Sequence, residues 1–278
     1  MVLFGGRKAS GNKPYALDDT WTWNGTTWAE QTPKDHPTAR YDSQMAYDAA
    51  TGQVVLFGGW APGGIRSDTW TWNGTNWTRQ TPATHPPTVA GASMAYDAAT
   101  GQVVLFGGLQ DYTLSDRTWT WNGTTWTEQP LLTAPPPQED TQMAYATGAG
   151  QLVLYACDNA DLDGSNSTWT WNGTTWTEQA PASTPPVRYN ADLASAPAAG
   201  SVVLFGGEVP GGDDAFLHDT WTWNGTTWNQ QHPASHPPAS FDGAMTGDTT
   251  AGNVVLFGGL GGNESTILRV HGTWTWND

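Results

Sequence analysis

The sequence contains one cysteine, Cys157, in 278 residues. No disulfide can close within the chain, so oxidising export is neither required nor excluded. Positive charge is scarce. Ten Lys and Arg stand against 26 Asp and Glu, a formal net charge of −16. A phosphate backbone is gripped by clustered Lys and Arg, so nucleic acid is excluded as a partner. Arg7, Lys8, Lys13, Lys34 and Arg40 lean towards the N-terminal part, but they are too few for a binding patch. No apolar run approaches the roughly 20 residues of a helical membrane span. No signal peptide is read, because Val2-Leu3-Phe4 already belongs to a repeat; the leader of an exported parent would lie upstream. Helical periodicity is missing too, as are Gly-x-Ser-x-Gly, a Gly-rich phosphate loop and any readable nucleophile–base arrangement.

What is present is Trp and Gly, 18 and 33 residues, with only 13% charged. This suits a rigid all-β body with many tight turns rather than a cytosolic enzyme, and favours an extracellular or cell-surface setting. Self-similarity organises the chain. Val-Leu-Phe-Gly-Gly stands at 2–6, 55–59, 104–108, 203–207 and 255–259, with a degenerate copy at Val153-Leu154-Tyr155-Ala156-Cys157. Thr-Trp-Thr-Trp-Asn begins at 20, 69, 118, 168, 220 and 273, a spacing of 49 to 53 residues. A period of that size without helices indicates propeller blades of four strands.

Each repeat reads as four strands, a to d. Strand a carries Met45-Ala46-Tyr47. Strand b, Val54-Val55-Leu56-Phe57, is apolar throughout, as expected when both faces are covered. Strand c, Thr69-Trp70-Thr71-Trp72, alternates. Asn73-Gly74 predicts a two-residue type I′ turn, which would set Trp70 opposite Trp77 and make Trp70, Trp72 and Trp77 one layer packed on the next blade. Fifteen Trp fall into such triplets and two more into the last copy, leaving Trp60 alone outside the pattern.

These residues resemble the Kelch repeat: an apolar strand ending in Gly-Gly, an Asp or Asn just before strand c, a Trp on strand d. The resemblance spans the whole chain and implies a single domain over 1–278, an all-β, six-bladed Kelch-type propeller of four-stranded antiparallel blades. It says little about activity, since such propellers include oxidases, sugar epimerases, plant specifier proteins and binding scaffolds. The copper-radical oxidases of that superfamily require two His, two Tyr and a Cys–Tyr crosslink, a set that does not map onto this chain. The Arg-x-x-His often found at the start of strand a is also broken. Arg40 and Arg188 remain, but Ser43, Ala92, Thr141, Ala191 and Gly243 occupy the His position.

The terminal blades read as incomplete. The first copy lacks strand a and the last lacks strand d, as in an excerpt of a longer array. Unpaired edges of this kind predict self-association.

Comparison among copies locates the expected site. The a–b and c–d turns repeat almost unchanged, whereas the b–c loops and the lead into strand a differ in every copy. In a meander those two variable segments lie at one end of the blade, and loops on a rigid scaffold are where binding sits. The candidate ligand-binding residues are therefore Arg40, Tyr41, Asp42, Trp60, Glu139, Asp140, Arg188, Tyr189, Asn190, Phe241 and Asp242. A calcium-like spacing around Asp161 and Asp163 lacks the distal Glu, and these two are the only metal candidates; no other cofactor is expected. His218 and His271 share a repeat position too far from its neighbour for a common metal. The expectation is a non-catalytic binding module for carbohydrate or protein. The alternatives are an enzyme on the same face, of hydrolase, lyase or sugar epimerase type, and an interaction module of a larger surface protein.

Overall fold

The structure, a computed structural model, describes every residue except 11–12, 159–164, 210–215, 264–265, 271 and 278. Among the described residues there is no helix. The fold is the expected one, all-β with six propeller-type blades. The chain divides into two compact units, Met1–Leu131 and Leu132–Asp278.

The first unit holds blades 1 to 3. Blade 1 has strands b, c and d (Val2–Ser10, Lys13–Trp23, Trp28–Gln31). Blade 2 has all four, Gln44–Asp48, Gln53–Phe57, Thr69–Trp72 and Trp77–Gln80, in the order a-b-c-d. Blade 3 repeats this with Ser93–Asp97, Gln102–Phe106, Thr118–Trp121 and Trp126–Gln129. The second unit holds blade 4 (Gln142–Ala146, Gln151–Asp158, Ser165–Trp171, Trp176–Gln179), blade 5 (Asp192–Ala196, Ser201–Phe205, Thr220–Trp223, Trp228–Gln231) and blade 6 (Ala244–Asp248, Asn253–Phe257, Thr273–Trp276).

Strand b is buried on both faces, as its composition predicts: Val55, Leu56 and Phe57 are at most 1% exposed. The tryptophans bind blade to blade, but in the direction opposite to the one expected. Blade 3's Trp121 and Trp126 pack on Phe57 of blade 2, the preceding blade, with Phe57 edge-on to Trp126 at 5.3 Å. Three of the buried strand-d Trp also reach back by a hydrogen bond. The Nε1–H of Trp77, Trp126 and Trp228 donates to the hydroxyl of Thr20, Thr69 and Thr168 at 3.0, 2.9 and 2.9 Å. The indole thus fills the interface and satisfies its one polar atom there.

The c–d turn also differs from expectation. Trp72 pairs with Trp77, and Trp70 with Arg79, so the loop is four residues, 73–76, rather than two. Asn73 explains it. Its Oδ1 accepts the N–H of Thr75 and of Asn76 and the Thr75 hydroxyl, at 2.9–3.0 Å. That side chain closes an Asx turn, with Gly74 at φ 98°, in place of the I′ backbone turn. Trp70, Trp72 and Trp77 still share a face. The a–b turn is stapled similarly, Asp48 accepting from Ala50 N–H and the Thr51 hydroxyl. Asp97 and Asp248 cap the a–b turns of blades 3 and 6 in the same way, whereas Ala146 and Ala196 stand at that position in blades 4 and 5. The Asn cap of the c–d turn recurs as Asn24, Asn122, Asn172 and Asn224.

Candidate functional site

At the other end, the two variable segments are hydrogen-bonded to each other. The residue after Gly-Gly bridges the lead of strand a in the same blade: Trp60 with Tyr41, Leu109 with Ala90, Glu208 with Tyr189, Leu260 with Phe241. Beyond these bridges the b–c loops of blades 2, 3 and 6 rise as two-stranded ribbons, Trp60–Ala61 with Gly64–Ile65, Leu109–Gln110 with Thr113–Leu114, and Leu260–Asn263 with Thr266–Arg269.

Backbone geometry accounts for one row of candidates. Asp42, Asp140, Asn190 and Asp242 have φ of 53–55°, and Gly91 in the same repeat position has φ 61°. Only Gly, Asn and Asp enter this left-handed region readily. The choice of residue type therefore follows from the turn before it follows from any ligand. Asp140→Ala should cost roughly 1 kcal/mol of stability in urea unfolding, whereas Asp140→Asn should cost almost nothing.

The two arginines are structural. Arg40 is wholly buried. It forms a two-pronged ion pair with Asp68 (2.7 and 3.0 Å) and donates to the Gly58 and Thr38 carbonyls. Arg188 does the same with Asp219 (2.6 and 2.9 Å), Gly206 and Pro186. Burial alone would raise the Asp68 and Asp219 carboxyls, but the arginines and the hydrogen bonds from Trp70 and Trp221 hold both below the ordinary value. In blade 3 Val89 and Arg117 occupy the two clamp positions, and in blade 4 Gln138 and Ser167. Across blades 2 to 6 Arg and Asp are present or absent together.

In the first unit the structure joins Tyr41 to Trp60 through paired backbone hydrogen bonds of 3.0 and 2.8 Å. The Arg7 guanidinium lies 5.6 Å from the Tyr41 ring centre, and Trp60 faces Tyr112 at 6.0 Å. In the second unit Phe241 is buried and stacks on Phe216 at 5.0 Å, so it supports the loop. His218 stacks on His236 at 4.7 Å. Asp161, Asp163 and His271 lie outside the described residues, and among those described no group of three His, Cys, Asp or Glu is placed to hold a metal.

Glu139, Asp140, Tyr189 and Asn190 do come together. They line a cavity of about 160 Å³ with Arg188, Glu208, Tyr155 and Cys157, so Arg188 belongs to the cavity wall as well as to its ion pair. The cavity lies at the one blade whose strand b lacks Gly-Gly. In blade 5 both glycines have positive φ, and a Cβ on Gly207 would stand 2.7 Å from the Tyr189 carbonyl oxygen. That close approach requires glycine. With Ala156-Cys157 the ladder instead runs straight on, Ala156 opposite Ser167 and Cys157 opposite Asn166, and the Cys157 side chain lines the cavity. Asn190 donates to Glu208 at 3.1 Å. The Tyr155 hydroxyl donates to the Pro186 carbonyl and accepts from Asn166, and burial pushes its pKa up to about 12. It therefore serves as a neutral wall. No model of a known protein family matches the chain, and no curated protein matches it. The assignment of this site rests on its geometry.

Two polar residues escaped the sequence reading. Glu208 was hidden in a loop. Asp192 is 3% exposed with Oδ2 unpaired. Its oxygen occupies the space a Cβ on Gly243 would need, 2.4 Å away. Burial, then the charge of Asp242, raises its pKa to about 8 against a hydrogen bond from the Gly243 N–H. The folded state therefore keeps a proton that the unfolded chain loses near pH 4. Stability should fall as pH rises from about 4 to about 8, by up to about 1.4 kcal/mol per pH unit, and level off above. Asp192→Asn should remove that slope and be more stable by roughly 1–3 kcal/mol at pH 8. Melting temperatures of the two proteins across this range check it; parallel curves would refute it.

Proposed function

We propose that the protein is a binding module that takes a hydroxyl-rich ligand of the carbohydrate class at the end formed by the b–c loops and strand-a leads, with the second unit's cavity as its polar anchor. One observation carries the reading: the only blade that departs from Gly-Gly is where acceptors and an aromatic ring converge. Glu139, Asp140 and Glu208 offer carboxylate oxygens to hydroxyl donors, Asn190 offers an amide, and the half-buried Tyr189 offers a ring. This is the small polar set on a concave wall by which such ligands are oriented. The Kelch assignment is part of the same proposal and is supported by the repeat residues.

A glycan array probed with the intact chain tests it. The expected result is retention of a defined glycan without turnover, weakened about tenfold by Glu208→Gln through loss of a charged acceptor at unchanged melting temperature. Turnover of the glycan would place the protein among enzymes, and an array without signal would overturn the carbohydrate reading.

A further inference from the structure

The first unit holds a larger groove, about 670 Å³, over blade 2 between the two links that flank it. Its walls include Arg66, Asp68, Trp70, Arg79 and His85. Asp68 is already neutralised by Arg40 and accepts the Trp70 Nε1–H at 2.7 Å. Neither Arg66 nor Arg79 forms an ion pair among the described residues; the Arg66 guanidinium donates from Nη2 to the uncharged Pro62 carbonyl, and its Nε is buried with no hydrogen-bond partner. Two uncompensated guanidiniums in one groove are unexpected in a chain with ten basic residues and a net charge of −16.

Comparison among blades sharpens the point. The strand-d residue opposite the first Trp of strand c is Arg79 in blade 2 alone; elsewhere it is Glu30, Glu128, Glu178 or Gln230. Two residues before the Asp68 position stand Leu17, Arg66, Ser115 and Leu217 in blades 1, 2, 3 and 5. Arg66 and Arg79 are thus separate departures from the repeat, one on the b–c loop and one on strand d, that line one groove. Drift would scatter such changes.

We infer that this groove binds a small ligand bearing a carboxylate or sulfate on a ring, the anion held by Arg66 and Arg79 and the ring laid along the half-buried Trp70. Guanidinium forks fit both anions in two-pronged geometry, and an indole face gives the ring an apolar seat. The site is independent of the second unit's cavity. Isothermal titration of the intact chain with glucuronate, glucose 6-sulfate and glucose tests it. At least one anion should bind and glucose should not, and the preferred anion identifies the group. Arg79→Glu, the residue of three other blades, and Arg66→Ser, the residue of blade 3, should each weaken binding at least about tenfold and leave the melting temperature unchanged. Anions that bind no better than glucose, or binding that survives the double variant, would overturn the proposal.

Discussion

Trp126→Ala should destabilise the protein by roughly 3–5 kcal/mol, the range for deleting a large buried aromatic. Trp126 is fully buried, lies 5.4 Å from Trp121 and meets Phe57 edge-on. Its removal leaves a void between blades 2 and 3 and strands the buried Thr69 hydroxyl, whose donor is the indole. Trp126→Phe separates the two losses. It keeps most of the packing and gives up the hydrogen bond, so it should cost about 1–2 kcal/mol. Trp60→Ala serves as the contrast. That ring is half-buried on a loop ribbon and should cost under about 1 kcal/mol. Urea unfolding of the three variants measures the series, and equal losses for Trp126→Ala and Trp60→Ala would refute the account of the blade interface.

Arg188→Ala should cost about 3 kcal/mol or more. The side chain is buried, and its loss removes the counter-charge of the Asp219 carboxylate, which keeps the Trp221 indole N–H as a side-chain donor, and the arginine donor of the Gly206 carbonyl. Removing one member of a buried pair costs more than removing both, because an uncompensated charge remains. The double variant Arg188→Val, Asp219→Ser, which uses the residues of Val89 and Ser167 at these positions, should therefore be more stable than Arg188→Ala. The pH dependence follows from Asp219, whose pKa is lowered in the folded state. Its contribution is present above the unfolded value near 4 and is lost as pH falls through the lower folded value. Arg188→Ala should accordingly lose less stability than the wild type on acidification across that range.

The blades were legible because they depend on features local to one repeat: an apolar run that ends in glycine, and an alternating Thr-Trp strand. Inter-blade direction was not, since nothing in Trp77 alone says whether it meets the preceding or the following blade. The Asn-Gly dipeptide pointed to a turn but to the wrong length, because the Asn73 side chain replaces a backbone bond that dipeptide statistics assume. The row of Asp42, Asp140, Asn190 and Asp242 was visible, and its restriction to Asp, Asn and Gly was the signature of a left-handed backbone. The structural part of Arg40 and Arg188 was not legible, because the partners that engage their donors, Asp68 and Asp219, stand about thirty residues downstream; Arg188 nevertheless lines the cavity. Asp192 stands where other copies have Gln44, Ser93 or Gln142, and only Gly243 on the next blade makes its burial possible. The degenerate Ala156-Cys157 pair was the one sequence signal at the cavity, and its meaning required knowing how tightly Gly-Gly packs elsewhere.

That pair also provides the most direct test of the binding reading. Replacing Ala156 and Cys157 together by glycine restores the repeat and should let strand b of blade 4 fold against its strand-a lead as in blade 5, filling the cavity. Glycan affinity of the intact chain and of this double variant, measured by titration calorimetry with the glycan selected on the array, decides the matter. Loss of binding at an unchanged melting temperature is the predicted result; full affinity in the double variant would contradict the placement of the site.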